Sequence, residues 1–439
     1  MPEPTLDSRG LSAHRGMVLH FRSDPGAHDD PGSFELFEDG LLVIRGGRIA
    51  ALGPASELLS ELPSAVQPVE HAGKLLLPGF IDTHIHYPQT DVIAAPGGDL
   101  LTWLTRYTFP AEARFAQAAH AAQVANFFLD ELLRHGTTSA LVFCTVHPTS
   151  VEAFFQAAAR RQLRMVAGKV LMDRNCPPDL QDSVDSGERD TRELYAKWHG
   201  RERLGYAITP RFAATSSEAQ LSSAGRLATE LPGALIQTHL AESVEEVAWI
   251  RQLFPRARSY LDVYDSYGLL GERTIFAHCI YLDQTDRIQI AQSCAATAFC
   301  PSSNLYLGSG LFDIGAADAA GMRFALATDV GGGSSFSMLR TMASAYQVAQ
   351  LKRQPLSPLR AFYLATLGAA RALGLQRQIG HFALGAEADF IVLDFAATPL
   401  LARRSALVTT LREKLLLLIT LGDERAVTAT YILGARVHP

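Results

Sequence analysis

Across the middle of the chain, short apolar runs alternate with longer amphipathic stretches, a pattern that predicts βα repetition. Candidate strands fall at 75–84, 138–143, 165–171, 206–212, 234–239, 274–278, 296–300 and 322–328. Eight such strands over roughly 290 residues predict an α/β fold, a closed (β/α)8 barrel of the TIM type. An open doubly wound sheet is the rival, but no Gly-x-Gly-x-x-Gly follows the first strand. The clearest helix runs from Glu112 to His135, with Phe115, Val124, Phe127, Phe128, Glu131 and Leu132 on a mixed face and Gly136 placed to end it.

Both ends of the chain have a different texture. Leu41–Ile44 and Ile49–Gly53 flank Gly46-Gly47, a hairpin signal. Ala388–Leu393 and a Val427–Val437 segment interrupted by Gly434 read as strands again. The expectation is a small β-sandwich domain assembled from residues 1–74 and 373–439, with the barrel, residues 75–372, inserted between them.

Composition narrows the function. With 48% hydrophobic and 19% charged residues the chain can bury a large core. A formal charge of -6 offers no whole-protein attraction for phosphate backbones, so nucleic acid is not expected as a partner. The strongest apolar stretch, Leu415–Ile419, is far short of the ~20 residues of a membrane span. Met1–Arg15 has no apolar signal-peptide core. Five scattered cysteines without a Cys-x-x-Cys pair suit reduced thiols used for packing, and the expected location is cytoplasmic.

Chemistry concentrates where the candidate strands end. The first ends Asp82-Thr83-His84-Ile85-His86, and His-x-His on an extended segment points both imidazoles to one face. Alone, such a pair is more often an ordinary surface or hydrogen-bonded feature. Thr238-His239, Ala277-His278 and Thr328-Asp329 also follow apolar strands, so four strands deliver His or Asp to one rim. Strand ends converge at the mouth of a barrel, where a single ion can collect them.

The Pro78–His86 signature, with the later His, His and Asp, resembles the amidohydrolase superfamily. Within it the chain is similar, nearly end to end, to the guanine deaminases, through Tyr87-Pro88-Gln89, Leu100–Phe115, Met172–Asn175, Thr209–Phe212 and Phe299–Gly310. The resemblance implies one zinc per subunit held by His84, His86, His239 and Asp329, with His278 beside it. The His and Asp ligand set suits Fe2+ as well as Zn2+. Binuclear members bridge two metals from the fourth strand; here that strand ends Thr209-Pro210-Arg211-Phe212, without a bridging ligand, and Lys169 on the third strand reads as a structural or salt-bridged lysine. A homodimer is implied by the resemblance alone.

The implied reaction is hydrolysis of guanine to xanthine and ammonia by a metal-activated water. Glu242, three residues after His239, is suited to protonate the ring nitrogen next to the attacked carbon. Asp329 would move the water proton to the leaving amine, and His278 would steady the attacking oxygen. His239, Glu242 and Asp329 would therefore also border the substrate. Arg211 can only donate, so it demands a lone pair such as guanine O6; adenine presents an amine there. Gln89 has both donor and acceptor to read the neighbouring edge, and Phe212 can stack on the ring. Considered without its strand-end position, Arg211 is as well explained by an ordinary salt bridge. The alternatives are another mononuclear deaminase, acting on a triazine, cytosine or an adenosine analogue, and a non-catalytic scaffold relative. Missing His-x-Glu and Pro-Cys-x-x-Cys motifs exclude the cytidine-deaminase type of site.

Overall fold

The computed structural model describes residues 10–438, so residues 1–9 of the N-terminal stretch judged free of a signal lie outside the described residues. Near the start of the chain come β1 (Leu11–Phe21), β2 (Phe34–Arg45), β3 (Arg48–Pro54) and β4 (Val69–Pro78). The next strands are β5 (Phe80–His86), β6 (Thr137–Phe143), β7 (Arg164–Gly168), the two-residue β8 (Val170–Leu171) and β9 (Gly205–Pro210). Then follow β10 (Leu235–Leu240), β11 (Thr274–His278), β12 (Ala296–Phe299) and β13 (Arg323–Leu326). Last come β14 (Phe390–Asp394), β15 (Val427–Ile432) and β16 (Ala435–His438).

The strand expected over 75–84 is in fact two strands in different sheets. Leu75–Pro78 continue β4 and pair with β14, whereas β5 pairs in parallel with β6. Gly79 makes the change of sheet possible: its N–H donates to Asp389 O at 3.0 Å, and a Cβ there would lie 2.2 Å from Thr138 Oγ1. The remaining barrel strands follow in sequence order, β5-β6-β7-β9-β10-β11-β12-β13, with β8 on β9, and each pairing is parallel. Between the first and last strands, backbone bonds just past β13 complete the ring: Asp329 N–H to His84 O at 3.0 Å and His86 N–H to Val330 O at 2.8 Å. The buried Asp82 reinforces this seam by accepting from the Thr328 N–H at 3.1 Å and from its hydroxyl. The two tips that carry the candidate ligands are thus tied to each other.

Both chain ends supply one seven-stranded mixed sheet, ordered β16-β15-β14-β4-β1-β2-β3. Side chains of alternate residues point to opposite faces. Val18, Leu42, Ile44, Leu76, Phe390, Val392 and Tyr431 pack together on one face. Leu19, Leu75, Leu77, Ile391 and Leu393 on the other join the barrel core. The sheet curls over its inner face far enough that Gly434, after β15, sits against Ile44 of β2; an added Cβ would be 2.8 Å from Ile44 Cγ2.

The helix expected over 112–135 is interrupted. A helix at Phe109–Ala113 and a short turn at Arg114–Ala116 end at extended Gln117 (φ -87°, ψ 111°), and a new helix runs Ala118–Arg134. The break lets Phe115 bury against Tyr87, ring centroids 5.1 Å apart, and leaves Phe127 on the outside, 55% exposed. Gly136 ends the second helix as expected, with φ +79°. The cysteines are free; Cys294 is a correction to the packing expectation, because it sits in an exposed turn after helix Gln284–Gln292 with φ 58°. Lys169 is fully buried and paired with Asp182. Among the described residues no helix is long and apolar enough to cross a membrane.

Candidate active site

At the C-terminal mouth of the barrel, β5 delivers His84 and His86, β10 delivers His239, β11 ends on His278, and Asp329 follows β13. His84 and His86 Nε2 lie 3.2 Å apart, and His86 and His239 Nε2 lie 3.2 Å apart. Asp329 Oδ1 is 3.2 Å from His84 Nε2 and 3.5 Å from His86 Nε2. Ligands ~2.0–2.1 Å from one tetrahedral ion stand roughly 3.3–3.4 Å apart, so this spacing fits a shared cation. The protonation states agree. Burial, then the neighbouring His84 imidazole, holds the His86 and His239 rings well below the ordinary histidine range, which leaves neutral nitrogens with lone pairs. His239 Nδ1 donates to Arg211 O at 2.7 Å, which turns its lone pair inward. Cys300 Sγ also lies within 4.8 Å of ligand atoms of His84, His278 and Asp329. Burial pushes that thiol well up, so it stays a neutral S–H, 3.4 Å from Ala298 O.

A titratable pair, Glu242 and His278, stands beside these candidate ligands. His278 Nε2 is 3.3 Å from Glu242 Oε2 and 3.8 Å from Asp329 Oδ2. Burial pushes the Glu242 carboxyl up to about 7, with Asp329 and Glu246 adding to the rise against the pull of His278. Burial opposes charge on His278, but Glu242 and Asp329 outweigh it and raise that imidazole. His278 and Asp329 hold φ values of 70° and 51°. Left-handed backbone costs a non-glycine residue about 1–3 kcal/mol, which the surrounding bonds must offset. Two of those bonds come from the segment after β12: His278 Nδ1 with Asn304 Oδ1 at 2.8 Å, and Ser309 Oγ to Glu242 Oε1 at 3.0 Å. Glu242 is further fixed because its N–H donates to Glu246 Oε2 at 2.7 Å.

Gln89, Arg211 and Phe212 line the same cavity as these groups, under a cover made by Leu100, Trp103 and Leu104. The cavity holds about 410 Å³ of empty space counted out to its open mouth. Arg211 Nη1 donates to Glu112 Oε2 at 2.6 Å, so the salt-bridge reading holds together with the strand-end position. Gln89 Nε2 donates to Glu112 Oε1 at 3.0 Å. Phe212 lies edge-on to Trp249, ring centroids 6.0 Å apart. The structure thus brings His84, His86, Gln89, Arg211, Phe212, His239, Glu242, His278 and Asp329 to one mouth. Asn304 and Ser309 lie in the Asn304–Gly310 loop, which the sequence suggests as shaping the pocket, with plain turn chemistry as the alternative; Glu112 and Glu246 have no site role from sequence. From sequence Glu112 reads only as the first residue of a helix, within the Leu100–Phe115 segment and between apolar neighbours.

The Amidohydrolase family profile matches residues 75–437. The guanine deaminase of Escherichia coli (strain K12) is 44% identical over 429 residues, covering 98% of this chain and 98% of that one. The solved E. coli guanine deaminase superposes with a TM-score of 0.95, covering 97% of this chain and 99% of that one. A guanine deaminase from C. acetobutylicum, solved with guanine bound in its active site, is 27% identical with a TM-score of 0.88 over 97% of this chain and all of that one.

Proposed function

This chain belongs to the amidohydrolase family, and from that membership we propose that it is a guanine aminohydrolase, releasing ammonia from guanine to leave xanthine. The observation that carries the reading is a buried carboxyl poised near neutrality, Glu242, beside a cluster of neutral imidazoles, at the mouth of a barrel closely similar to those of guanine deaminases. His84, His86, His239 and Asp329 would hold the metal, one zinc per subunit, with iron an acceptable substitute for this donor set. The fit is supported by the convergence of buried donor atoms: His84 and His239 Nε2 each lie 3.2 Å from His86 Nε2, and Asp329 Oδ1 lies 3.2 Å from His84 Nε2. When bound, the metal supplies a Lewis acid that makes water acidic enough to attack at neutral pH.

The chain's own residues divide the remaining work. Glu242, with its pKa near 7, can be protonated in the resting site and give that proton to the ring nitrogen beside the attacked carbon. Asp329 Oδ2 takes the proton lost by the attacking water and passes it to the departing amine. His278 Nε2, between Glu242 and Asp329, donates to the oxygen being added. The free donors of Arg211 meet the purine carbonyl, Gln89 reads the adjoining edge, and Phe212 covers the ring face. Adenine would turn an N–H toward Arg211 and leave both donors unpaired, a penalty that can reach roughly 10⁴ in discrimination. The rest of the reading is a barrel inserted between the two parts of the small sheet, near residues 75–372, in a cytoplasmic homodimer.

Metal-loaded protein incubated separately with guanine and adenine tests the activity. Ammonia and xanthine are expected from guanine, and no ammonia from adenine. Equal turnover of both bases, or turnover of cytosine or a triazine in place of guanine, refutes the assignment.

A further inference from the structure

Glu112 has no step in the reaction above, yet it is fully buried and both of its carboxylate oxygens are committed, one to Gln89 and one to Arg211. Gln89 is held at its other end as well, because its Oε1 accepts the Gly331 N–H at 3.1 Å. A carboxylate only accepts, and a peptide N–H only donates. A primary amide caught between the two has a single satisfactory orientation. The two ends of an amide are nearly alike in shape, so without such a clamp Gln89 could turn over at little steric cost and exchange a donor for an acceptor in the pocket. Glu112 also takes Nη1 of Arg211, while the guanidinium lies 5.3 Å from the Phe109 ring centre, which fixes where its remaining N–H groups point.

We propose that Glu112 is a specificity-determining positioning residue: by clamping Gln89 and Arg211 together it writes the donor and acceptor pattern that the pocket presents to the carbonyl-bearing edge of a purine. This rests on the guanine reading above. Because Glu112 acts through two binding residues and not through Glu242, His278 or Asp329, its loss should weaken recognition more than chemistry.

Glu112→Gln is the discriminating variant. It keeps the size, but its amide offers one acceptor where two are needed, so either Arg211 meets a donor or Gln89 loses its reason to stay in register. Assayed as metal-loaded protein, it is expected to raise KM for guanine about tenfold or more, with kcat within about threefold, and to narrow the guanine-to-adenine ratio. Glu112→Asp keeps both acceptors on a shorter stem, so it should retain the guanine-to-adenine ratio while its stretched contacts raise KM by about threefold. Unchanged KM and unchanged ratio in Glu112→Gln overturn the inference alone. Failure of the unaltered protein to deaminate guanine overturns the functional reading and this inference with it. If Glu112→Gln does not fold, Glu112→Asp is measured with and without Gln89→Leu. The Asp effect on KM should shrink in the Gln89→Leu background, and simple additivity overturns the inference.

Discussion

The proton-donor role proposed for Glu242 requires a carboxyl removed from water, and Glu242 is buried after β10, its backbone N–H on Glu246 and its Oε1 accepting from Ser309. Glu242→Gln keeps the hydrogen bonds and the volume but has no proton to give. It is expected to retain a full complement of metal while ammonia release falls by about 10²–10⁴; metal analysis beside a guanine assay checks this. His239→Ala should do the reverse, losing metal content together with activity, as should prolonged chelation, with zinc restoring the chelated protein. Lone-pair availability is the reason for the expected contrast: the His239 nitrogen is neutral and aimed, whereas Glu242 stands outside the proposed ligand set.

At the level of elements, the segment Leu100–Thr108 contributes the apolar wall of the cavity through Leu100, Trp103 and Leu104. It comprises a short helix, Leu100–Trp103, and a widened turn of π type, Leu104–Thr108, a geometry often found at functional places. Because Leu100, Trp103 and Leu104 line the same cavity as Gln89 and Arg211, a purine bound there lies against this segment. Amide hydrogen exchange at Leu100–Thr108 is therefore expected to slow on adding xanthine, while exchange in β10 and β11 stays unchanged. Strand packing shows the opposite behaviour. Gly168, at the end of β7, faces the Ala207 carbonyl so closely that a Cβ would lie 1.7 Å from its oxygen. Backbone cannot yield as a side-chain tip can, so Gly168→Ala is expected to cost about 3 kcal/mol or more, read as a lower denaturation midpoint.

At the scale of the whole molecule, the sheet formed by the chain ends is bolted to the barrel by buried charge. Arg203 donates to Glu387 Oε2 at 2.6 Å and also to Asp389, and Glu387 is shared with Arg164. Arg203→Met leaves the buried Asp389 without its cationic partner, while Glu387 keeps Arg164, and should cost about 3 kcal/mol, seen as a lower Tm with unaltered KM in the molecules that remain folded. The same sheet sets an acid limit. Burial, then His71, lowers His14 from 6.5 to about 3, and burial, then Lys74, lowers His71 to about 4. Both folded pKa values lie below the unfolded one, so the neutral rings contribute stability above pH 6.5 that is lost as the pH falls toward 4 and 3. Tm should drop across that window, and His14→Phe, beside Phe390 and Tyr431, should flatten the drop. Sequence by itself determined the eight-strand repetition and the rim of His84, His86, His239, His278 and Asp329, because strand periodicity and strand ends are local patterns. It could not locate the change of sheet at Gly79 or the break at Gln117, which depend on what Thr138 and Tyr87 present from elsewhere in the chain. Nor could it find Glu112 or Glu246, or say which atoms Asn304 and Ser309 of the Asn304–Gly310 loop would hold, because those partners come from other segments or from the next helical turn. Only the closed barrel decided those contacts, since a hydrogen bond is specified by distance in space and a motif only by distance along the chain.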